Sequence, residues 1–291
     1  MRVVLISGCS SGIGLEAALA FARRGDTVFA SMRNPAKSGP LEVRAKEEGL
    51  DLEILTLDVT DDASVADAVR TIEQRHGAID VLVNNAGVGY SGPIETIDID
   101  RARALMETNT WGAVRLIRAA LPRMRERGSG VIINVTSVAG RVPGTPHNGF
   151  YGASKHALGT LSEALQWEVA PYGVRVACIE PGFFVTEIFA NSDWDKVDLS
   201  SPYGADHAWV SEFYVKSGEV AGGDPSVVAK AIVAAAEDPA TPTHNLVGDD
   251  AFMFVDMVNQ AGTFEGWMPV GTQIIESVAG PRPVQPKPRP D

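Results

Sequence analysis

The sequence predicts an α/β protein in which a parallel sheet is doubly wound by helices, giving three layers, α/β/α, in a single domain. Two observations lead to this prediction. Short runs rich in β-forming residues alternate with helical patterns along the chain. The short runs are apolar and hardly alternate polar and apolar side chains, which is typical of strands buried on both faces of a sheet.

Six apolar runs are the predicted strands, and four longer segments are the predicted helices. The strands comprise residues 3–7, 27–31, 52–58, 81–85, 130–137 and 174–181. The helices comprise residues 13–24, 62–76, 101–127 and 151–170. The run HNLVGDD at 244–250 is a candidate for a late edge strand. We expect one Rossmann-like domain over residues 1–279 and a weakly ordered, Pro-rich tail over 280–291, because alternating prolines favour polyproline II.

Composition excludes several classes of partner. A formal net charge of −12 argues against nucleic acid or an anionic membrane, because binding to phosphates relies on clustered Lys and Arg. Two cysteines, Cys9 and Cys178, are too few for a disulfide scaffold or a tetrahedral zinc site, and the five histidines show no metal-site spacing. The chain shows no secretory signal and no run of roughly 18 apolar residues that could span a bilayer. We therefore expect a soluble cytoplasmic protein without a metal.

The candidate site lies where the strands end, because ligands of a doubly wound sheet bind beyond the carboxyl ends of its strands. The ends read SGCSSGIG, SMRN, LDV, NNAG, VTSVAG and EPG, and each is polar, small or rich in glycine. In the first of them, Gly8 to Gly14 join a strand to a helix. Glycines allow the backbone to approach a pyrophosphate, whose charge meets the positive end of the helix dipole. The loop predicts nucleotide binding, with a tight strand-to-helix turn as the alternative.

The end of the second strand indicates which nucleotide is bound. An NAD site usually has an acidic residue there to bond the ribose 2′-hydroxyl, whereas an arginine accommodates a 2′-phosphate. Here Arg33 occupies that place, and the Ser11 hydroxyl is a further donor for the same phosphate. The sequence thus predicts NADP, unless Arg33 is one more solvated surface charge.

Seven motifs together resemble the short-chain dehydrogenase/reductase family. They are GCSSGIG, LDV with Asp58, NNAG, TNTWG with Asn109, VTSVAG with Ser137, YGASK and EPG, in the order of the family over roughly residues 3–187. The combination of GCSSGIG, FASMR and NNAG is most similar to the NADP-linked hydroxysteroid and retinol dehydrogenase branch. The resemblance implies an oxidoreductase that interconverts a carbonyl group and an alcohol.

The resemblance also implies that Tyr151 is the acid/base, and the chemistry of its neighbour supports this role. A tyrosine hydroxyl titrates near pH 10, but a nearby cation stabilises its phenolate, and Lys155 lies one helical turn away. Without the other motifs, this pair would indicate only a shared helix face. The resemblance implies that Ser137 holds the substrate oxygen. It also implies that Asn109 binds a water, which continues the proton path away from Lys155. Because Ser137 and Tyr151 lie one position further apart than is usual in the family, Thr136 is an alternative hydroxyl.

The cofactor-binding residues follow from the same resemblance. The set is Gly8, Ser10, Ser11, Gly12, Ile13, Gly14, Arg33, Asp58, Val59, Asn85, Ala86, Gly87, Tyr151, Lys155, Pro181, Gly182 and Thr186. In this set Asp58 meets the adenine, Thr186 reaches the carboxamide and Lys155 bonds the nicotinamide ribose. The backbone of NNAG packs beside the adenosine ribose.

The segment 183–220 is rich in aromatic residues and bears on the substrate. Its aromatic residues are Phe183, Phe184, Phe189, Trp194, Tyr203, Trp209, Phe213 and Tyr214. We interpret the segment as a lid over a bulky, apolar ketone, aldehyde or alcohol, with local core and subunit interface as the alternative. The protein is expected to form a homodimer or homotetramer. Two other functions stay open, a catalytically silent NADP-binding regulator and a sugar-nucleotide epimerase or dehydratase.

Overall fold

Seven parallel strands form the sheet in the computed structural model, which describes residues 1–190 and 197–283. The strands are β1 (Val3–Ser7), β2 (Thr27–Met32), β3 (Glu53–Thr56), β4 (Val81–Asn84), β5 (Gly130–Val135), β6 (Val174–Pro181) and β7 (His244–Val247). They lie in the order β3-β2-β1-β4-β5-β6-β7. The order reverses between β1 and β4, and such a switch point opens a crevice at the carboxyl ends of the strands. The predicted doubly wound fold is confirmed.

The helices in the described part of the chain cover the sheet and continue beyond it. They are α1 (Gly12–Arg23), α2 (Gly39–Glu47), α3 (Asp62–His76), α4 (Ile99–Met106), α5 (Gly112–Arg127), α6 (Gly149–Val169), α7 (Glu187–Ala190), α8 (Gly204–Ala221), α9 (Pro225–Glu237), α10 (Asp249–Ala261) and α11 (Phe264–Ala279).

Two apolar cores cover the two faces of the sheet, because successive residues of a strand point to opposite sides. Val4 and Ile6 of β1 belong to one core, in which buried residues of α1, α2 and α9 pack on the sheet. Leu5, between them, belongs to the other core, with α3, α5 and α6. These cores make the three layers and fix the edge of the sheet at which all strands end.

A third apolar cluster joins helices from the C-terminal part of the chain. Trp209, Phe213 and Tyr214 of α8 pack against Ile275 of α11. Phe183, which follows β6, contacts the same cluster. Because β6 ends next to Phe183, the cluster lies at the carboxyl edge of the sheet, where the crevice is.

The structure differs from the predicted elements in two informative places. The segment predicted as one helix over 101–127 consists of α4, a π-helical turn at Glu107–Trp111, and α5. The candidate edge strand at 244–250 ends at Val247, because Gly248 has a φ of 101° and α10 begins at the next residue. No described helix is long and apolar enough to cross a membrane.

The beginning of the predicted tail lies against α8. The Trp209 indole Nε1 donates to the carbonyl oxygen of Gly280 at 2.7 Å, and Arg282 forms an ion pair with Asp206. These contacts explain why the first residues after α11 hold to the domain although proline-rich sequence follows. The remaining residues of the predicted tail, 284–291, are outside the described residues.

Candidate active site

A cavity of about 920 Å³ brings together nearly all of the predicted site residues. It is lined by Gly8, Ser10, Ser11, Gly12, Ile13, Arg33, Asp58, Val59, Asn85, Ala86, Gly87, Ser137, Tyr151, Lys155, Pro181, Gly182 and Thr186. Two further predicted residues, Gly14 and Asn109, do not line it. Segments far apart in the chain thus converge where a doubly wound sheet binds its ligand. The volume is in the range of small-molecule and cofactor sites.

The glycine loop turns sharply between β1 and α1. Gly8 and Gly12 have φ values of 76° and 56°, a backbone region that side chains disfavour. A Cβ on Gly14 would lie 2.3 Å from the carbonyl oxygen of Gly8, so the first turn of α1 packs directly on the loop. The positive end of the α1 dipole begins at Gly12, which lines the cavity. This cradle, which side chains would fill, fits the phosphates of a nucleotide.

Asn85 holds the glycine loop in place from the neighbouring strand. Its amide Nδ2 donates to the carbonyl oxygens of Ser7 and Gly8 at 2.9 and 3.0 Å. In return the Ser7 hydroxyl oxygen accepts the backbone N–H groups of Asn85 and Ala86, each at 3.1 Å. The ends of β1 and β4 are therefore fixed relative to each other at the switch point.

Two basic side chains, Arg33 and Lys37, line the cavity after β2. Although burial opposes the shift, hydrogen bonds from Thr60 and the charge of Arg33 lower the pKa of Asp58. Arg33 and Asp58 thus face the same part of the cavity. Sequence reasoning missed Lys37, whose position depends on the short 3₁₀ turn at Pro35–Lys37. The sequence signal for this residue was the presence of a second basic residue shortly after Arg33.

Tyr151 and Ser137 meet inside the cavity. Tyr151 lies in the first turn of α6, Ser137 follows β5, and both side chains line the cavity. Burial raises the pKa of Tyr151 to about 12, with the hydrogen bond to Ser137 acting in the opposite direction. The alternative hydroxyl, on Thr136, is buried and donates to the carbonyl oxygen of Ile179 at 3.1 Å. Of the two hydroxyls, that of Ser137 is the one that influences the pKa of Tyr151.

Lys155 lies beside the same tyrosine, on the next turn of α6. Its side chain is buried, and Nζ is 5.8 Å from the centre of the Tyr151 ring. Nζ donates to the carbonyl oxygen of Val135 at 3.0 Å, which fixes the ammonium. Burial lowers the pKa of Lys155 to about 8, so the amine remains largely protonated at neutral pH.

Asn109 lies in the π-helical turn, behind the cavity wall. Its side chain makes a closed pair with the backbone of Val88, donating to the carbonyl at 2.9 Å and accepting the N–H at 2.8 Å. Nδ2 also donates to the Ser154 hydroxyl at 3.1 Å. Asn109 Oδ1 and Lys155 Nζ each lie 3.4 Å from the position that a Cβ on Gly87 would take. Gly87 therefore leaves a narrow gap between the amide and the ammonium.

Much of the cavity wall is apolar and comes from the C-terminal part of the chain. This apolar wall consists of Phe183, Phe184, Phe213, Tyr214, Phe254, Phe264, Trp267, Met268, Ile274 and Ile275. The residues from α10 and α11 were not predicted, because the site motifs end before them. Among the predicted aromatics, Trp209 and Tyr203 do not line the cavity. Trp194 and the side chain of Phe189 are outside the described part of the chain.

Comparison with known proteins agrees with this geometry. The family model described as short chain dehydrogenase matches residues 2–196. Retinol dehydrogenase 8 from Bos taurus is 42% identical over 216 residues, which are 73% of this chain and 68% of that protein. A short-chain dehydrogenase structure from Streptomyces avermitilis superposes with a TM-score of 0.77 at 33% identity, covering 92% of this chain and 96% of that one.

A second structure bears on the cofactor. The gluconate 5-dehydrogenase from Burkholderia cenocepacia, solved in complex with NADP and tartrate, is 30% identical with a TM-score of 0.70. The match covers 87% of this chain and 95% of that chain. In residues 1–190 and 197–283 of the present chain, no group of three or more His, Cys, Asp or Glu side chains could hold a metal ion.

Proposed function

The chain belongs to the short chain dehydrogenase family of oxidoreductases, and on that basis we propose that it uses NADP(H) to interconvert a carbonyl group and an alcohol on a bulky apolar substrate. The observation that carries the proposal is the convergence of Tyr151 and Ser137 in one cavity, beside the buried ammonium of Lys155. All three side chains line the cavity that also contains the glycine loop.

We assign residues of the cavity to the binding of each part of the cofactor. The glycine loop and the start of α1 would hold the pyrophosphate, with Asp58 at the adenine end. Lys155 would bond the nicotinamide ribose, and Thr186 would reach the carboxamide. When bound, the nicotinamide supplies or accepts the hydride at the substrate carbon.

The protein supplies the proton chemistry. A tyrosine with a pKa of about 12 keeps its proton at neutral pH, so Tyr151 can donate that proton to a carbonyl oxygen during reduction. Ser137 donates a hydrogen bond to the same oxygen and orients it. The Lys155 ammonium stabilises the phenolate that remains, and the gap at Gly87 gives the replacing proton a route past Asn109. Oxidation needs the deprotonated tyrosine, and its rate should rise with pH.

NADP is favoured over NAD by charge after β2. Arg33 and Lys37 both line the cavity there, and the position after β2 where an NAD site usually has an acid is occupied by Arg33. A 2′-phosphate gains from two cations, whereas a free 2′-hydroxyl needs an acceptor. The NADP complex of the related gluconate 5-dehydrogenase is consistent with this choice.

We expect Arg33→Asp to shift the cofactor preference from NADPH toward NADH. The carboxylate repels the 2′-phosphate and accepts a bond from a free 2′-hydroxyl, and a change of about 3 kcal/mol corresponds to roughly a hundredfold shift. The measurement is the ratio of kcat/KM values for NADPH and NADH. Arg103→Asp, the same charge change on the exposed face of α4, is the control. An unchanged ratio in Arg33→Asp would show that Arg33 does not contact the cofactor.

The substrate class follows from the apolar wall. Four of its members are Phe183, Phe213, Tyr214 and Trp267, and such walls favour large hydrocarbon frameworks because contact removes apolar surface from water. The relative named retinol dehydrogenase 8 is consistent with an apolar substrate. We therefore assign α8, α10 and α11 to substrate binding.

We expect Phe213→Ala to reduce selectivity for bulky ketones. Phe213 is buried and lines the cavity, and loss of one such contact should cost about 1.5 to 3 kcal/mol, or roughly 10- to 100-fold in kcat/KM. The measurement compares a ring ketone with a small hydrophilic ketone in the same variant, which cancels any loss of folded protein. Equal losses for both ketones would assign Phe213 to the core alone.

The test of the proposed function as a whole is a panel of carbonyl and alcohol substrates with NADPH, NADH and their oxidised forms. We expect NADPH-dependent reduction of bulky apolar ketones or aldehydes. A protein that binds NADPH but turns over no member of the panel would be a catalytically silent binder. Turnover of nucleotide sugars without net oxidation would instead indicate an epimerase.

A further inference from the structure

A cluster of polar side chains, with a buried histidine and aspartate at its centre, joins α8 to the loop that precedes Tyr151. We call His147, Asp206 and Arg282 the docking cluster. His147 lies in the loop between Ser137 and Tyr151, Asp206 in the first turn of α8, and Arg282 after α11. The cluster thus connects three segments, two of which lie beyond the residues that the family model matches.

The contacts within the docking cluster are short, and the contact between His147 and Asp206 is shielded from water, while Arg282 covers it from the exposed side. His147 Nε2 lies 2.9 Å from Asp206 Oδ2, and the two side chains are 5% and 7% exposed. Arg282 donates to both oxygens of the same carboxylate, at 2.7 and 3.1 Å. Despite its burial, hydrogen bonds from Arg282 and His147 lower the pKa of Asp206, so the carboxylate remains charged. Paired charges with little solvent hold a fixed geometry.

The backbone of His147 is itself constrained. Its φ of 57° makes it the sole residue other than glycine with a positive φ in the described part of the chain. Its carbonyl oxygen accepts the N–H of Gly92 at 2.8 Å and the hydroxyl of Ser91 at 3.2 Å. That hydroxyl is also 2.9 Å from Nε2 of His207, whose ring stacks on His147 at 5.0 Å between centres. An unfavourable conformation persists only where its surroundings determine it.

A second polar contact joins α8 to the next residue of the same loop. Asn148 Nδ2 donates to the Tyr214 hydroxyl at 3.0 Å, and Tyr214 also shares a hydrogen bond with Thr145. Asp206, Val210 and Tyr214 are four residues apart on α8, so they lie on one face of the helix. Tyr214 also lines the cavity in which Tyr151 lies. The face of α8 that docks on the loop therefore reaches the cavity of the reacting tyrosine.

We propose that His147 and Asp206 are positioning residues of the reaction: their contact, secured by Arg282, docks α8 on the loop at 145–148 and thereby sets the position of Tyr151 relative to Ser137. The inference rests on the proposed function, in which Tyr151 is the proton donor. The loop joins Ser137 to Tyr151, and displacement by about 1 Å of a reacting group can cost on the order of 100-fold in rate. The helix that contributes to the substrate wall thus also organises the chemistry.

The test compares Asp206→Asn and His147→Gln with Phe213→Ala. Positioning of Tyr151 matters for every substrate, so Asp206→Asn and His147→Gln should each lower kcat about 10-fold or more for a bulky and for a small ketone alike. The Kd for NADPH should stay within about twofold of wild type, since neither residue belongs to the cofactor set. Phe213→Ala should affect the bulky ketone only. Loss confined to the bulky ketone in all three variants would reduce the docking cluster to a part of the substrate wall and overturn the inference.

A double-substitution test separates the contact from general loss of stability. Because His147 and Asp206 act through one contact, the combined variant should be little slower than the slower single variant. Arg282→Lys should retain more kcat than Arg282→Gln. Glu163→Gln, which removes a carboxylate 2.7 Å from His244 outside the cavity, is the matched control and should leave kcat unchanged. Additive losses, or an equal loss in Glu163→Gln, would contradict the inference.

Hydrogen exchange tests the docking without any turnover. Asp206→Asn should accelerate amide exchange at residues 145–151 and in the first turn of α8, with exchange in the strands unchanged. Unchanged exchange at 145–151 would overturn the inference whatever the activity. Failure of wild-type protein to reduce any ketone would instead overturn the proposed function, so the two failures are distinguishable.

Discussion

Replacement of Tyr151 by phenylalanine is expected to abolish nearly all turnover while the protein folds and binds NADPH as before. The substitution removes only the hydroxyl, which lies in the cavity with Ser137 and is the proposed proton donor. General acid/base catalysis typically contributes about 10²- to 10⁴-fold, so kcat should fall by about that factor. The measurements are kcat with a bulky ketone, the Kd for NADPH, and the midpoint of urea unfolding.

Tyr172→Phe is the control for this substitution. Tyr172 is half-exposed just beyond α6 and does not line the cavity, so loss of its hydroxyl should leave kcat unchanged. The comparison of Ser137→Ala with Thr136→Val separates the two candidate hydroxyls. We expect Ser137→Ala to be the slower enzyme, because Thr136 is bonded to Ile179. If Tyr151→Phe kept activity within a few-fold of wild type, Tyr151 would have no part in the chemistry.

Replacement of Lys155 by methionine is expected to impair both catalysis and cofactor binding without weakening the fold. The ammonium is buried beside Tyr151, where it would stabilise the phenolate and bond the cofactor ribose. We expect a loss of kcat of about 100-fold or more and a clear rise in the Kd for NADPH. Lys155→Arg, which keeps the charge but not the shape, should recover little.

The difference in stability between wild type and Lys155→Met should change with pH in a defined direction. Burial lowers the pKa of Lys155 to about 8 in the folded protein, below the ordinary lysine value of 10.5, so the unfolded chain binds more protons between these values. The free energy of unfolding of wild type, relative to Lys155→Met, should therefore rise as pH increases from about 8 to 10.5. Below pH 8, Lys155 is charged in the folded protein, and the burial of this charge then lowers the free energy of unfolding of wild type the most. Urea unfolding of both proteins at pH 7 and pH 10 measures this difference in the free energy of unfolding. A smaller advantage of wild type over Lys155→Met at pH 10 than at pH 7 would contradict the prediction.

The sheet could be predicted because its strands are buried on both faces. Leu5 and Val4 point to opposite sides, yet both meet helices, so the sequence of β1 is apolar throughout. The helices after β6 offered no such pattern. In α8, buried apolar residues occupy adjacent positions, Trp209 with Val210 and Phe213 with Tyr214, so they spread around the helix instead of forming one narrow stripe. In α11, Pro269 lies within the helix, a residue that normally predicts a helix end.

The candidate site likewise has one part that the sequence predicts and another part that it does not. Residues at strand ends, such as Ser137 and Arg33, are predictable because parallel strands end at one edge. The contact between His147 and Asp206 joins positions 59 residues apart, through a helix whose docking depends on tertiary packing. No local spacing carries that information. The substrate wall and the docking cluster therefore required the structure.

The most direct test of the proposed reaction uses NADPH that carries deuterium at both positions of nicotinamide C4 and follows this deuterium during reduction of a bulky apolar ketone. We expect wild type to transfer one deuterium to the carbinol carbon of the product, NADH to support the reaction far less well, and Tyr151→Phe to yield almost no labelled alcohol. Mass spectrometry of the product measures all three. Product without deuterium, or labelled alcohol formed equally by Tyr151→Phe, would contradict the account.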